Sequence, residues 1–193
     1  KGVLGNDSDP DGRPLTATVV TRPAKGSLEF KNDGSFTYFP QTNFFGADAF
    51  TYRASNGTQN SPAATVNIQV LAKPENILPD PVNQKVVQNG LLLFTRANEP
   101  PNAISVRDRD STHLTITLTV TNGTLTVSKT NGVQFPNGLL PSSVFVMSGA
   151  ISNLNTALDG LSYRPIPAYF GPDTLKIRSV DEGGRFDSDN DAI

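Results

Sequence analysis

The chain has 193 residues and carries 16 lysines and arginines against 18 aspartates and glutamates, a net charge of -2. With no long basic patch, this balance excludes a typical nucleic-acid partner, and no apolar run is long enough to span a membrane. The absence of cysteine excludes disulfides, cysteine-bound zinc and thiol catalysis. The 16 glycines and 15 prolines indicate an all-β, turn-rich protein.

The first 72 residues contain short β-rich segments separated by turn signals. Predicted strands cover residues 15–21, 26–30, 35–39, 49–54 and 63–71, after a stub at Val3 and Leu4. Strands of this length and spacing are typical of an antiparallel sandwich. A module in a string must be crossed by an odd number of strands, and six are visible. We therefore predict a module over residues 1–72 whose first strand lies upstream of this sequence.

A proline-rich stretch follows this module. Pro74, Pro79 and Pro81 lie within ten residues. Proline cannot donate a backbone hydrogen bond to a sheet, and it biases the preceding residue towards extended geometry. We therefore predict a semi-rigid linker over residues 73–83.

The strand pattern then resumes and predicts a second, longer module over residues 84–193. Its predicted strands cover residues 84–88, 91–95, 103–107, 114–121, 124–128, 143–147, 161–164 and 173–179. Ile151, Leu154 and Leu158 share one helical face and Gly160 follows as a stop signal, which predicts a short helix over residues 151–158. We expect the last strand of this module to follow Asp191, beyond the end of the sequence.

The two halves of the sequence are related. The segment Phe36–Pro40 matches Leu161–Pro165, and Phe45–Phe50 matches Phe170–Leu175, in the same order along the chain. Two related modules in tandem indicate a repeat array. The matched residues include Asp48 and Asp173, which we predict to accept loop backbone N–H groups. They also include Tyr38 and Tyr163, which we predict to pack in the core or at its rim.

Several quoted segments resemble a known family. GVLGNDSDPDGRPLTA and KGSLEFKNDGSFTYFPQTNFFGADAFTY in the first half, and NLNTALDGLSYRPIPAYFGPDTLKIRSVDEGG in the second, resemble the bacterial cadherin-like (Ig-like) repeats of large surface adhesins. The resemblance covers most of residues 2–71 and roughly residues 100–184. It implies two tandem Ig/cadherin-like antiparallel β-sandwich modules that are secreted or exposed at the cell surface. It also implies stabilisation by calcium and neighbouring repeats of the same chain as partners.

Acidic side chains cluster on loops that the strand count places at one pole of each module. Calcium takes six to eight oxygen ligands from carboxylates, carbonyls and water, which clustered aspartates on turns can provide. The predicted ligands of the second module are Glu75, Asn76 and Asp80 on the linker, Asp108 and Asp110 on one loop, and Asp181 and Glu182 on another. The predicted ligands of the first module are Asp7, Asp9 and Asp11. The alternative is that these residues only form solvated turns.

Two neighbouring acidic patterns are interpreted differently. An EF-hand at residues 7–18 is excluded because its twelfth position is Thr18 rather than a bidentate glutamate. The acidic run at residues 187–191 is expected to be a frayed end.

No catalytic motif stands out in the sequence. The single histidine, His113, lies at a predicted strand start, and no nucleophile elbow or phosphate-binding loop is present. We therefore expect a non-enzymatic spacer that calcium stiffens at module junctions. One alternative is that the longer second module, with its extra segment at residues 135–158, binds a glycan or a cell-surface protein. Another is homophilic or filament assembly, in which a strand fills a neighbour's vacant position.

Overall fold

The computed structural model describes residues 2–79, 84–98 and 100–193, with the backbone alone at residues 190–192. The chain divides into two units, residues 1–72 and residues 73–193. The paired strands of both units run antiparallel. The predicted fold class, two tandem Ig-like β-sandwich modules of which the second is longer and carries a short helix, is confirmed.

The first unit contains two small sheets. After a 3-10 helix at Val3–Asn6, its strands are β1 (Thr16–Thr21), β2 (Gly26–Phe30), β3 (Phe36–Pro40), β4 (Gly46–Ser55) and β5 (Ala64–Val70). One sheet has the order β1-β4-β5 and the other pairs β2 with β3. Alternate residues of a strand point to opposite faces, and the inward residues form a small core of Val3, Ala17, Leu28, Phe50 and Tyr52.

The second unit repeats this plan with additional elements. Its strands are β6 (Glu75–Ile77), β7 (Leu92–Phe94), β8 (Ser105–Arg107), β9 (His113–Thr119), β10 (Gly123–Thr126), β11 (Val133–Gln134), β12 (Val144–Ala150), β13 (Leu161–Pro165), β14 (Thr174–Asp181) and β15 (Phe186–Ala192). They form sheets of order β11-β12-β9-β14-β15, β10-β13-β7 and β6-β8. The strands β9, β10, β13, β14 and β15 correspond to β1 to β5 of the first unit.

The predicted helix is present as α1 (Ile151–Leu158) and closes the core of the second unit. Leu154 and Leu158 are fully buried against the β-sheets, together with Phe145 and Met147 of β12. The Asn155 side chain fixes the helix to β8, because its Oδ1 accepts the Val106 N–H at 2.8 Å and its Nδ2 donates to the Val106 carbonyl at 2.9 Å. In the part of the chain that the structure describes, no helix has the length and apolar character needed to cross a membrane.

Four segments differ from the predictions. Val3 and Leu4, counted as a strand stub, lie in the 3-10 helix, so the first unit has five described strands rather than six. Residues 84–88, predicted as a strand, form none, and the edge of β13 pairs with Leu92–Phe94 of the other predicted strand at residues 91–95. Residues 75–77, predicted as linker, form β6 and pair with β8 inside the second unit. The acidic run at residues 187–191, predicted to be frayed and to precede a last strand beyond Asp191, lies within β15 and pairs with β14. The physical reason is tertiary: neighbouring polar side chains hold this aspartate-rich strand in place, as described below.

Candidate functional site

The first unit contains a side-chain hydrogen bond between Tyr38 on β3 and Asp48 on β4, which we call the tyrosine–aspartate motif. The Tyr38 hydroxyl donates to Asp48 Oδ2 at 2.8 Å. The same carboxylate accepts backbone N–H groups from Ala24 at 3.0 Å, Lys25 at 2.9 Å and Ala49 at 2.9 Å. The motif therefore fixes the turn between β1 and β2 against the start of β4.

The second unit repeats the tyrosine–aspartate motif with Tyr163 on β13 and Asp173 before β14. The Tyr163 hydroxyl donates to Asp173 Oδ2 at 2.8 Å. Backbone N–H groups of Thr121 at 3.0 Å, Asn122 at 2.8 Å and Thr174 at 2.8 Å complete the same set of donors. The prediction that Asp48 and Asp173 accept loop N–H groups is confirmed, and both aspartates have a structural role.

The pKa values of the aspartate and the tyrosine shift in the same directions in both motifs. Burial alone would raise the pKa of Asp173, but the backbone N–H groups and the Tyr163 hydroxyl lower it on balance. The pKa of Asp48 is lowered by the corresponding donors against the same effect of burial. Burial and the adjacent carboxylate raise the pKa of Tyr38 to about 12 and that of Tyr163 further. Each aspartate is therefore ionised and each tyrosine neutral at neutral pH.

The acidic loop of the first unit is held by hydrogen bonds from its own protein. Asp9 Oδ1 accepts the N–H groups of Asp11 at 3.0 Å and Arg13 at 3.2 Å, and Asp9 Oδ2 accepts the Asn56 side-chain amide at 2.8 Å. The Asn56 amide and the Arg13 N–H lower the pKa of Asp9. Asp7 Oδ2 accepts the hydroxyl of the core residue Tyr52 at 2.9 Å.

Asp7, Asp9, Tyr52 and Asn56 line an open depression of about 510 Å³ in the first unit. Asp11 forms an exposed ion pair with Arg13 at 3.6 Å. Both oxygens of Asp9 accept N–H donors, and among the described residues no buried carboxylate oxygen of this loop is without a partner. Calcium binding by Asp7, Asp9 and Asp11 stays a prediction.

The acidic loop of the second unit also folds around an aspartate, but its other carboxylate oxygen lies in a different environment. Asp108 Oδ1 accepts the N–H groups of Asp110 at 3.0 Å and Ser111 at 3.2 Å, and Asp9 likewise accepts from the residue two positions later. Asp108 Oδ2 is buried and has no hydrogen-bond partner among the described residues. Burial raises the pKa of Asp108, and the neighbouring Asp110 carboxylate adds to this rise against the lowering effect of the backbone N–H groups.

Arg185 brings the remaining carboxylate of this pole close to the loop. Its Nε donates to Asp181 Oδ2, its N–H donates to Asp181 Oδ1 at 2.9 Å, and its guanidinium lies 3.8 Å from Asp110 Oδ1. Asp181 is buried. Burial alone would raise the pKa of Asp181, but the Arg185 side chain lowers it. The structure therefore brings Asp108, Asp110 and Asp181 together around a guanidinium that the sequence did not identify.

The other predicted ligands of the second module lie elsewhere. Glu75 forms a bidentate ion pair with Arg107 across β6 and β8, at 2.9 and 2.7 Å. Glu182 is exposed and lines an open depression of about 360 Å³ that also includes His113 and Asp181. Asp80 lies outside the described residues.

Asn76 belongs to a separate polar cluster that the sequence reasoning missed. Its backbone N–H donates to Asp187 Oδ2 at 3.2 Å, its Nδ2 donates to Asp189 Oδ2 at 3.2 Å, and its Oδ1 accepts the Ser179 hydroxyl at 2.7 Å. Lys73 Nζ lies 2.6 Å from Asp187 Oδ1. This cluster joins β6 to β14 and β15, and it explains why an aspartate-rich run forms a strand. The alternation of Asp187 and Asp189 on one face was the available signal.

The fit to calcium therefore differs between the two acidic loops. Among the described residues, no three histidine, cysteine, aspartate or glutamate side chains are grouped closely enough to hold a metal ion. At Asp108, however, a buried carboxylate oxygen lacks a donor and a second carboxylate lies beside it, which is the donor chemistry that calcium prefers. The third carboxylate, Asp181, is held by Arg185.

Comparisons with known proteins match the first unit to a family. Residues 2–69 match the family model described as a bacterial Ig domain. No curated protein matches the chain. Among solved structures, the chain is similar to the adhesin InvE of Yersinia pseudotuberculosis, with 14% identity over 96% of this chain and a TM-score of 0.27. A TM-score this low does not establish a common fold, and the chain spans about half of that adhesin chain, which is 51% covered.

Proposed function

We propose that the chain is a non-enzymatic, extracellular spacer segment of a large bacterial surface or secreted adhesin, with neighbouring repeats as its immediate partners. The match of residues 2–69 to the bacterial Ig domain supports this proposal. The second unit supports it as well, because it repeats the strand order and the tyrosine–aspartate motif of the first. Repetition of one sandwich plan in tandem is typical of chains that extend rather than catalyse.

The finer part of the proposal concerns calcium. Asp108, Asp110 and Asp181 are the ligands, and the buried Asp108 Oδ2, which accepts no hydrogen bond from the described residues, is the observation that carries the assignment. A bound cation would give this oxygen the partner that the described residues do not provide. Affinities of extracellular calcium modules are roughly 10⁻⁴ to 10⁻³ M, so occupancy follows millimolar calcium outside cells.

Arg185 competes with calcium for the carboxylates of this site. Its guanidinium already neutralises Asp181 and lies near Asp110. Calcium must therefore compete with Arg185 for Asp181, and the side chain has to turn away when the ion binds. We expect removal of the guanidinium to raise the affinity for calcium, whereas in a purely structural loop it would only destabilise the unit.

Calcium titration of the 193-residue chain by calorimetry tests this assignment. We expect one site with a dissociation constant of roughly 10⁻⁴ to 10⁻³ M, lost in Asp108→Asn and tightened in Arg185→Gln. Asp108→Asn keeps an Oδ1 that can accept the Asp110 and Ser111 N–H groups. The matched control is Asp9→Asn on the first unit, which should leave calcium binding unchanged. Absence of a site in the unmodified chain, or its survival in Asp108→Asn, would contradict the assignment.

The spacer role has its own test. If calcium stiffens the chain between modules, small-angle scattering should show a narrower distribution of interatomic distances in calcium than in chelator. Asp108→Asn should remove the difference while leaving both units folded. An identical distribution in the two conditions would refute stiffening even if the ion binds.

The alternative of a glycan- or protein-binding second module has weaker support. In the extra segment at residues 135–158, Phe135 packs edge-on against the buried Phe145, with ring centroids 5.7 Å apart. Met147, Leu154 and Leu158 are fully buried. Because these side chains fill the core, the segment favours the spacer over a binding platform, although Leu140 is exposed.

A further inference from the structure

The five-stranded sheet of the second unit turns one face to the core and the other to solvent. Leu114, Ile116 and Ile177 are among its inward residues and are buried. The residues that alternate with them point outward, and the strand registers arrange them in rows across the sheet. We call this surface the outer face; its described rows are Phe186, Val180, Thr115, Ser148 and Gln134, then Ser188, Arg178, Thr117 and Val146, then Lys176, Thr119 and Val144.

The outer face is positively charged, although the chain as a whole has a net charge of -2. Lys176 and Arg178 are exposed on β14, and neither has an ion-pair partner among the described residues. At a rise of about 3.4 Å per residue, their Cα atoms lie about 7 Å apart along the strand. The aspartates of β15, Asp187 and Asp189, point to the opposite side of the sheet, towards Asn76. No carboxylate therefore lies in the described rows of the outer face.

An aromatic ring holds one of the two cations in place. The guanidinium carbon of Arg178 lies 4.4 Å from the centroid of the Phe186 ring, which is a cation–π contact. None of the guanidinium N–H groups donates to a described residue. A planar guanidinium presents a fork of donors that binds a carboxylate through two parallel hydrogen bonds. Arg178 is therefore a preorganised partner for a carboxylate that comes from outside the unit.

The remaining polar groups of the outer face suit a ligand that is rich in hydroxyls. The open depression of about 360 Å³ lies at one end of the face, and Thr115, Gln134 and Ser148 line it. Their side chains form no hydrogen bond with a described residue, and hydroxyls can both donate and accept. Glu182 lines the same depression and would accept from a hydroxyl but repel a carboxylate. The carboxylates of a ligand therefore belong over the two cations, and its hydroxyls in the depression.

We propose that the outer face of the second unit binds an acidic polysaccharide whose charges are carboxylates, a polyuronate chain. Its carboxylates pair with Arg178 and Lys176, and its hydroxyls bond to the threonine hydroxyls of β9 and to the polar groups of the depression. The apolar residues of the extra segment fill the core, so only the outward residues of its strands take part. This binding role goes beyond the spacer role and needs no calcium, so the two can fail independently.

The test is an NMR titration of the intact chain with an oligogalacturonate, in chelator and at low salt. We expect amide shifts on β9, β14 and the lining of the depression, and weaker binding as salt is added. Replacing both cations, in Lys176→Gln with Arg178→Gln, should weaken binding about tenfold, because each exposed charge contributes modestly. The matched control is Arg53→Gln on the first unit, which should leave binding unchanged. Arg53 is exposed and lies opposite Thr18, as Arg178 lies opposite Thr117.

Four results would overturn the proposal. One is the absence of shifts on the outer face in chelator, including shifts that appear only when calcium is added. Another is unchanged binding in the double variant, with both units still folded in thermal unfolding. A third is equal affinity for the uncharged methyl ester of the same oligosaccharide, which would remove the role of the cations. The fourth is equal affinity for an oligoglutamate peptide, which would assign the face to an acidic protein segment. Preference for the charged sugar over both probes supports the proposal.

Discussion

The same tyrosine–aspartate motif lies at different depths in the two units. In the second unit Tyr163 is 1% exposed, and Asp173 is buried with it. In the first unit Tyr38 and Asp48 keep the same hydrogen bonds but are only half-buried. The other residues of β3, the strand that carries Tyr38, are exposed. Because unpaired polar groups are costly only where water cannot reach them, one motif should contribute different amounts of stability in the two settings.

The cause of the difference is the set of elements that the second unit adds. Strand β7 covers the edge of β13, and the segment that forms β11, β12 and α1 enlarges the core. The first unit has five described strands and a core centred on Phe50 and Tyr52. If the two units unfold separately, calorimetry of the intact chain should resolve two unfolding transitions. Matched positions of the two units can then be compared within one molecule.

Removal of the buried aspartate should have the largest effect. Asp173→Ala leaves the N–H groups of Thr121, Asn122 and Thr174 and the Tyr163 hydroxyl without their acceptor. Each buried unsatisfied donor costs about 1–3 kcal/mol, although such costs do not add fully. We expect the free energy of unfolding of the second unit to fall by about 3–5 kcal/mol. The matched Asp48→Ala should cost the first unit clearly less, and equal losses would break the comparison.

The glycines opposite the tyrosines should give the next effect. A Cβ built on Gly123 would lie 2.2 Å from Tyr163 Cε2 and 2.6 Å from the Arg164 carbonyl oxygen. One built on Gly26 would lie 2.5 Å from both Tyr38 Cε2 and the Phe39 carbonyl oxygen. Both substitutions therefore meet backbone, but the Tyr163 ring is enclosed by the core, whereas the Tyr38 ring can move towards solvent. Overpacking costs typically 1–3 kcal/mol, so we expect about 3 kcal/mol for Gly123→Ala and about 2 kcal/mol for Gly26→Ala, measured by thermal unfolding. A larger loss in Gly26→Ala would contradict the explanation from depth.

Acid should weaken the second unit through Asp173. Its pKa is lowered from the ordinary value of 3.8 in the folded state. The stabilisation is therefore fully present above the unfolded value and is lost as the pH falls below about 4 towards the folded pKa. We expect the free energy of unfolding of the second unit to fall through this group as the pH is lowered from 5 to 2. In urea titrations over that range, Asp173→Asn should give a flatter dependence for the second unit; an unchanged slope would exclude Asp173 as the source.

The sequence predicted the motif because its signals are local and repeated. Tyr38 and Asp48 are ten residues apart, as are Tyr163 and Asp173, and each pair flanks a proline and a Phe-Gly turn. The helix α1 was predicted for a similar reason, since its apolar spacing is contained within eight residues. Repetition thus made both the fold class and the structural role of the aspartates accessible without coordinates.

The parts that failed depend on distant partners. The strand β15 has poor intrinsic strand propensity. Besides its pairing with β14, it is held by Asn76 and Lys73, more than 100 residues away, which donate hydrogen bonds to Asp187 and Asp189. Strand β6, predicted as linker, is three residues long and carries no periodic signal. The role of Arg185 was missed because the acidic loop was interpreted only through an external cation, although an arginine four residues after Asp181 was visible in the sequence.

The smallest effect is expected when the first acidic loop is given the carboxylate that the second unit has at Asp181. Asn56 donates to Asp9 Oδ2 at the position where the second unit has Asp181. Asn56→Asp replaces this donor by a carboxylate, so Asp9 meets a like charge in place of a hydrogen bond. Without metal we expect a small drop in the melting temperature of the first unit. In about 5 mM calcium, above the upper range of module affinities, the drop should reverse, because the loop then has the two facing carboxylates that calcium prefers. The control is Asn56→Ala, which loses the same hydrogen bond and gains no ligand. It also loses the acceptor of the Thr58 and Gln59 hydrogen bonds, so only its calcium dependence is compared, and its melting temperature should be insensitive to calcium. If calcium also left the melting temperature of Asn56→Asp unchanged, the missing carboxylate would not explain why the two acidic loops differ in calcium binding. Burial of Asp108 would then be the remaining explanation.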